Sequence, residues 1–452
     1  MRGKRLYTNS LRDLFYLSLP TFLSFFLQNL YSLVDIFWIS KLGTDAIAAI
    51  SLASIATFIV FTLSQTIAVG TTAYVSQFKG KKDWDNIREF STQSLSLAVY
   101  GGILLAIPII VYPKIIMVIM GAKAQVINIG SSYLVPLAFF IPMFMISFAI
   151  NAVFRATGDT YTPMVILTTS NLLNIILDPI FIFTFKMGVK GAAIATGISY
   201  SIAFLYGLYK LIKFLEINPF KPHRPDFSLG WKILKVGIPS GIQFTIMSLT
   251  MFVLLRIVAS YGSEVVAAVG IVGRLLNFLR IPTMGFAISA SIVCGQYLGM
   301  ENFKEAEKTI IKTIILNEIV IITLLALIFP YGEQILLLFS KDPAVLKPGI
   351  EVFRFFMLTQ LFVAINITIS SSFRAAGDTL PPLYISIVRL ILLSIIAPVL
   401  GKLFSLRGIW EALVISAFLS SILSLIFFIK RDWKKRAVTI GFKMRMEAQK
   451  EV

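Results

Sequence analysis

Five stretches of this sequence run for about 20 residues or more without a charge: Ala46–Phe78, Phe90–Pro113, Ala124–Phe154, Ile281–Met300 and Phe355–Phe373. A helix rising 1.5 Å per residue needs ~20 apolar residues to cross the hydrocarbon of a bilayer. Only 14% of the 452 residues are charged and the mean hydropathy is +0.84, whereas a soluble domain keeps roughly a quarter of its residues charged. Lipid must therefore solvate much of the surface. The expected fold class is an all-α membrane protein with twelve transmembrane helices in two pseudo-symmetric six-helix bundles.

The helices are placed near 14–40, 46–76, 90–113, 124–152, 160–185, 189–214, 232–258, 265–298, 308–331, 346–372, 380–402 and 407–429. The amino terminus passes from Arg2, Lys4, Arg5 and Arg12 straight into a helix too long for the apolar region of a cleavable signal. A single cysteine, Cys294, excludes a disulfide framework, and a single histidine, His223, argues against histidine-ligated metals or haem.

The basic residues fix a direction. One alternating set of polar breaks (the amino terminus, 79–88, 155–159, 210–235, 304–312, 374–378 and the tail from Lys430) holds 27 Lys and Arg, and the opposite set holds nine. Basic residues stay on the cytoplasmic side, so both termini are expected there, in a multi-pass protein of the cell membrane. The net charge of +18 then calls for no nucleic-acid partner, and the tail KRDWKKR reads as an anchor on the membrane surface.

An internal repeat organises the chain. FRATGDTYTP at 154–163 returns as FRAAGDTLPP at 373–382, an offset of 219 that also carries Pro20 onto Pro239, Gly43 onto Gly262, Gln77 onto Gln296, Gly80 onto Gly299 and Pro179 onto Pro398. The expected domains are a lobe at 1–215, a cytoplasmic linker at 216–231, a lobe at 232–430 and a basic tail at 431–452. Six helices per copy insert both lobes the same way up, an arrangement recurring among secondary transporters with a cavity between the halves. The repeated FRA(T/A)GDT reads as a turn: Gly158 and Gly377 end one helix at positive φ, and Asp159 and Asp378 cap the next.

Duplication supplies its own control. Asp35 corresponds to Leu254, Asn174 to Leu393 and Asp178 to Ala397, so the embedded carboxylates belong to the first copy alone. Helix glue would be needed in both copies, which tilts these acids toward function. Counting from the external Lys41, Lys186 and Lys190, the positions Asp35, Asp178 and Thr196 sit roughly 9–12 Å below the outer surface. Tyr31 precedes Asp35 by four and Asn174 precedes Asp178 by four, so each pair shares a helix face. A carboxylate at this depth is kept only with a proton on it or a cation beside it, and carboxylate, amide and hydroxyl oxygens suit a hard cation such as Na⁺ as well as a proton relay. The prolines recur in both copies and belong to the scaffold. In the second copy Arg256, Arg274, Arg280, Glu318, Arg354 and Arg389 are embedded, and Arg274 with Glu318 is the pair expected to face a cavity.

YSLVDIFWISKLG, the FRATGDT turn, LLNIILDPIFIF and GVKGAAIAT together resemble the multidrug and toxic compound extrusion (MATE) family over essentially the whole chain. The resemblance is nearest to the prokaryotic branch named for a DNA-damage-inducible member. It implies Asp35, Asn174, Asp178 and Thr196 as the cation or proton site, with Tyr31 and Asn151 lining the same cavity. It also implies cation-coupled export of lipophilic, often cationic, small molecules, with Na⁺ or H⁺ as coupling ion and no cofactor. A monomer in contact with membrane lipids is expected. The alternative is a flippase for lipid-linked oligosaccharide precursors, which the second-copy arginines keep open and the first-copy acids oppose. HExxH, GxSxG and P-loop motifs are absent, so an enzyme is not expected.

Overall fold

A computed structural model describes residues 6–216 and 226–439; His223, Arg2, Lys4 and Arg5, most of the linker and the end of the tail lie outside them. The chain is helical throughout: α1 (Leu11–Ser40), α2 (Thr44–Lys81), α3 (Trp84–Val111), α4 (Pro113–Ile119), α5 (Ala124–Ala156), α6 (Tyr161–Pro179), α7 (Gly188–Leu215), α8 (Phe227–Val258), α9 (Ser263–Gly299), α10 (Phe303–Ile328), α11 (Gly332–Leu337), α12 (Pro343–Ala376) and α13 (Leu380–Lys430). Several helices overrun their apolar runs because polar side chains satisfy their first N–H groups. Asp83 accepts from the Asn86 amide, Asn302 from Glu305 and Asp342 from Ala344.

Among the described residues eleven helices are long and apolar enough to span a membrane, and α13 supplies the twelfth crossing. Ser405 breaks its 51 residues with φ 57 and ψ −142. A side chain on Gly408 would collide with the backbone carbonyl of Leu400. Residues eight apart in a straight helix stand about 12 Å apart, so α13 folds back on itself as two crossings.

The offset of 219 is written into the backbone. Left-handed φ occurs at Gly43 and Gly262 (102 and 119), Lys82 and Glu301 (58 and 60), Gly158 and Gly377 (89 and 81), and Lys186 and Ser405 (55 and 57). Each pair closes the same turn in the two copies. The short helices α4 and α11, not anticipated from sequence, start at Pro113 and Gly332, also 219 apart, and each drops one buried peg: Met117 against Gly130 and Leu336 against Gly349.

The described residues between Leu23 and Gly237 form one compact unit, and Tyr7–Phe22 with those from Ile238 form the other. The grouping differs from the consecutive lobes 1–215 and 232–430 at two helix ends: the start of α1 packs in the second unit and the start of α8 in the first. Each exchange rests on small residues. In the first unit, side chains on Gly70 and Gly237 would strike the carbonyls of Ile233 and Thr66, so α2 and α8 meet backbone to backbone. In the second unit the equivalent positions are Ser289 and Ser18, whose hydroxyls hydrogen-bond at 2.8 Å. Both exchanges end beside a proline, Pro20 in α1 and Pro239 in α8.

Within the first unit α5 is the central helix, packed on α2, α3 and α7; within the second, its counterpart α12 packs on α9, α10 and α13. The least buried spanning helix is α1.

The turn expectation holds at Gly158 and Gly377, and Asp159 Oδ1 accepts from the amides of Tyr161 and Thr162 at 3.1 and 2.9 Å. Asp378 takes a bidentate pair with Arg431 (2.7 and 3.0 Å). That pair corrects the reading of KRDWKKR as a lipid anchor. Trp433 is fully buried, stacked on Phe428 and edge-on to Phe373, its indole N–H donating to the Phe428 carbonyl. Lys434 pairs with Glu307. A nearby buried carboxylate and an aromatic slot hold the segment against the second unit, where headgroups were expected to hold it.

Candidate functional site

The first unit carries a polar cluster on α1, α5, α6 and α7. Its centre is Asp178, at the last turn of α6 and 0% exposed. Pro179 brings no N–H to the helix, and the chain continues through Ile180–Thr184 as a π-helical turn. That irregularity delivers the carboxylate at the point where regular hydrogen bonding changes.

Asn174, one turn earlier on the same face, donates from its amide nitrogen to Asp178 Oδ1 and to Thr196 Oγ1, each at 3.1 Å. Three of the four expected coupling residues are thus joined directly. Two oxygens remain buried without a partner, Asp178 Oδ2 and Asn174 Oδ1. An unmet buried oxygen costs about 1–3 kcal/mol, and structures retain such atoms where something else is to fill the place.

Asp35, half-buried on α1, is the second carboxylate. Its charge acts on Asp178, and both carboxylates act on the half-buried phenol groups of Tyr31 and Tyr133; Tyr200 lies in the field of Asp35. Tyr31 precedes Asp35 by one helical turn. Tyr133 and Tyr200 were not singled out from sequence. Tyr200 follows Thr196 by four on α7, a spacing that could have found it; Tyr133 comes from α5 with no local signal.

The unmet polar atoms extend along α6. Thr168 Oγ1 and Asn171 Nδ2 are buried and unpartnered too, and Thr168, Asn171, Asn174 and Asp178 follow at spacings of three, three and four, one side of a helix. Their counterparts at the offset of 219 are Ile387, Leu390, Leu393 and Ala397. In the second unit Leu393 and Ala397, with Leu254 at the position of Asp35 and Val352 at that of Tyr133, belong to one continuous apolar core. The same scaffold position is dry in one copy and polar with unmet oxygens in the other.

The remaining candidates are placed elsewhere. Asn151 is buried with an unpartnered Oδ1 and lies 18 residues beyond Tyr133 on α5, about 27 Å further along that helix. Arg274 is exposed on α9 and Glu318 half-buried on α10. One Glu318 oxygen has no partner, and the two residues form no ion pair. Beside Glu318, Asn317 bridges Thr283 and Thr368 at 3.2 and 3.1 Å, a satisfied polar link.

Carboxylate, amide and hydroxyl oxygens, the kinds brought together at Asp178, Asn174 and Thr196, are of the class that suits a proton or a hard monovalent cation. Among the described residues no group of three or more His, Cys, Asp or Glu side chains gathers as a multivalent metal site would require.

The MatE family model matches residues 20–180 and again 239–400, the second match beginning 219 residues after the first. The chain is 27% identical over 439 residues to the probable multidrug resistance protein NorM of Thermotoga maritima, covering 94% of each chain. It is 28% identical over 431 residues to the multidrug export protein MepA of Staphylococcus aureus, covering 93% of this chain and 94% of the relative. A crystal structure of MATE in the bent conformation aligns with TM-score 0.87 and 25% identity over 94% of this chain and 96% of that one. The outward-facing conformation of a multidrug resistance MATE family transporter aligns with TM-score 0.86 and 24% identity, over 97% and 96%. Both halves of this multi-pass membrane protein are matched, and the chain belongs to the MatE family, the multidrug and toxic compound extrusion transporters.

Proposed function

We propose that the protein is an antiporter exporting lipophilic, often cationic, compounds from the cell in exchange for inward movement of Na⁺ or H⁺. The observation that carries the reading is the fully buried Asp178 carboxylate with an unmet oxygen, beside a second carboxylate, at a position that the repeat fills with apolar side chains. Its relatives include proteins described as multidrug export and multidrug resistance proteins, and export of such compounds is carried over from them.

The mechanism follows from charge balance. With the site open outward, a proton or Na⁺ settles between Asp178 Oδ2, Asn174 Oδ1, Thr196 Oγ1 and Asp35. Neutralised carboxylates no longer attract a cationic substrate, which leaves outward. Asp35 rides on α1, the least buried spanning helix among the described residues, so neutralisation acts on an element lightly held by its neighbours. Bending of α1 at Pro20 is the motion we assign to it. Release of the coupling ion inside restores two negative charges and draws in the next cation. The distribution of Lys and Arg supports cytoplasmic termini and a cell-membrane location, and one chain supplies both units, so a monomer suffices. A flippase is not favoured, since the relatives are drug exporters and the buried charge of the first unit is acidic.

The test is gradient-driven efflux of a cationic dye from proteoliposomes. Asp178→Asn and Asp35→Asn are expected to abolish it while the protein keeps its elution profile. Undiminished efflux in both variants would sink the assignment.

A further inference from the structure

The second unit has its own unbalanced charge, of opposite sign. Arg280, half-buried midway along α9, donates from Nε to Gln360 Oε1 on α12 at 3.0 Å. Gln360 is itself fixed, its amide donating to the Phe356 carbonyl at 3.0 Å and to Thr359 Oγ1 at 3.1 Å. Arg389 on α13 is half-buried, and its Nε is sealed from solvent without an acceptor. It makes no hydrogen bond or ion pair with any described residue. Gln360 sits on α12, which packs on both α9, carrying Arg280, and α13, carrying Arg389, so the three side chains come from one helix group. Among the described residues no carboxylate pairs with either arginine: the ion pairs of this unit go to Lys308, Arg407, Arg431, Lys434, Lys435 and Arg436.

Two guanidiniums on helices that flank α12 inside a membrane unit are costly, and a lipid-facing arginine lowers the cost by stretching to the interface. Arg389 instead keeps its Nε sealed from solvent with no acceptor. The repeat sharpens the point, because the positions equivalent to Arg280, Gln360 and Arg389 are Phe61, Ile141 and Ser170. The scaffold does not require the cations, just as the second unit does without the acids.

We propose that Arg280 and Arg389, with Gln360 holding the first in place, form an anion-binding site inside the second unit for the carboxylate, sulfonate or phosphate group of an amphiphilic compound. A guanidinium presents paired N–H donors matched to two oxygens of such a group. Gln360 occupies only Arg280 Nε, which leaves the terminal nitrogens of both forks for the ligand. The anion supplies the charge the protein omits, and its apolar part meets a membrane-embedded surface. The exporter would then accept zwitterionic and anionic amphiphiles as well as cations. The site involves none of the first-unit acids and stands or falls separately from the coupling assignment.

The test uses the full chain in phosphatidylcholine nanodiscs and equilibrium dialysis against 1-naphthalenesulfonate, with empty nanodiscs subtracted. Saturable binding is expected. Arg389→Gln and Arg280→Gln should each weaken it at least about tenfold, the scale of a lost charge-assisted pair. Arg389→Lys should recover part of it, and Arg354→Gln, which alters an arginine outside the cluster, should leave it unchanged. Repeating the titration with phosphatidylglycerol in the discs separates the sources. Competition by the lipid makes a phosphate headgroup the resident anion, and unaltered binding makes the site one for free amphiphiles. Absence of saturable binding to the unsubstituted protein, or binding by both glutamine variants equal to that of the unsubstituted protein, overturns the proposal.

Discussion

Giving the first unit the residues of the second, Asn174→Leu with Asp178→Ala, should make the protein more stable as it loses coupling. The double change removes two buried, unpartnered oxygens, Asp178 Oδ2 and Asn174 Oδ1, each carrying an unmet desolvation cost of about 1–3 kcal/mol. It also deletes the two 3.1 Å hydrogen bonds of Asn174, worth about 1 kcal/mol each. Thr196 can turn its hydroxyl to the carbonyl four residues back, so it is not left unmet. The shape is known to pack, since Leu393 and Ala397 sit in a closed apolar core at the same scaffold position. The net is a gain of ~1–3 kcal/mol, which for a protein of this size raises the melting temperature by a few degrees. Thermal unfolding of detergent-solubilised protein, followed by fluorescence-detected size exclusion, measures it. A site retained for function at the expense of stability behaves this way. A fall of several degrees would refute the reasoning, because it is what breaking a satisfied polar network that holds helices together produces.

Two further outcomes test the scaffold. Trp433→Ala should lower stability by about 3–5 kcal/mol, the cost of emptying a large aromatic site, read as a lower melting temperature and faster proteolysis beyond Lys430; a tail lying on lipid would show neither. Gly237→Ala places a methyl group against the Thr66 carbonyl and should cost ~1–3 kcal/mol by forcing α2 and α8 apart, whereas Gly43→Ala, where the added methyl meets nothing within 4 Å, should show only the milder strain of its φ of 102.

Much of the fold was legible because it is carried by composition and repetition. Charge-free runs mark the spans, and the 219-residue offset that aligns Pro179 with Pro398 also aligns Lys186 with Ser405, two left-handed turn residues that share no chemistry. The cluster of Asp178, Asn174 and Thr196 was legible through helical spacing and the absence of acids in the second copy. What escaped depends on contacts distant in sequence. Tyr133 reaches the carboxylates from a helix whose sequence holds no clue to that neighbour. Trp433 lies in a run of basic residues whose composition fits a headgroup layer, and its burial is decided by Phe373, Phe428 and the position of Asp378. The exchanged starts of α1 and α8 rest on Ser18 with Ser289 and Gly70 with Gly237, small residues that resemble any other in an apolar helix. Arg274 and Glu318 were singled out by charge alone, and the two form no ion pair.

The central claim is that the acids of the first unit couple an inward cation to outward drug movement. Efflux of a cationic dye from proteoliposomes, with a proton gradient and a Na⁺ gradient imposed separately, tests it most directly. The account predicts that at least one gradient drives efflux by the unsubstituted protein and that neither drives it in Asp178→Asn. Equal efflux by the two proteins under the same gradient would contradict it.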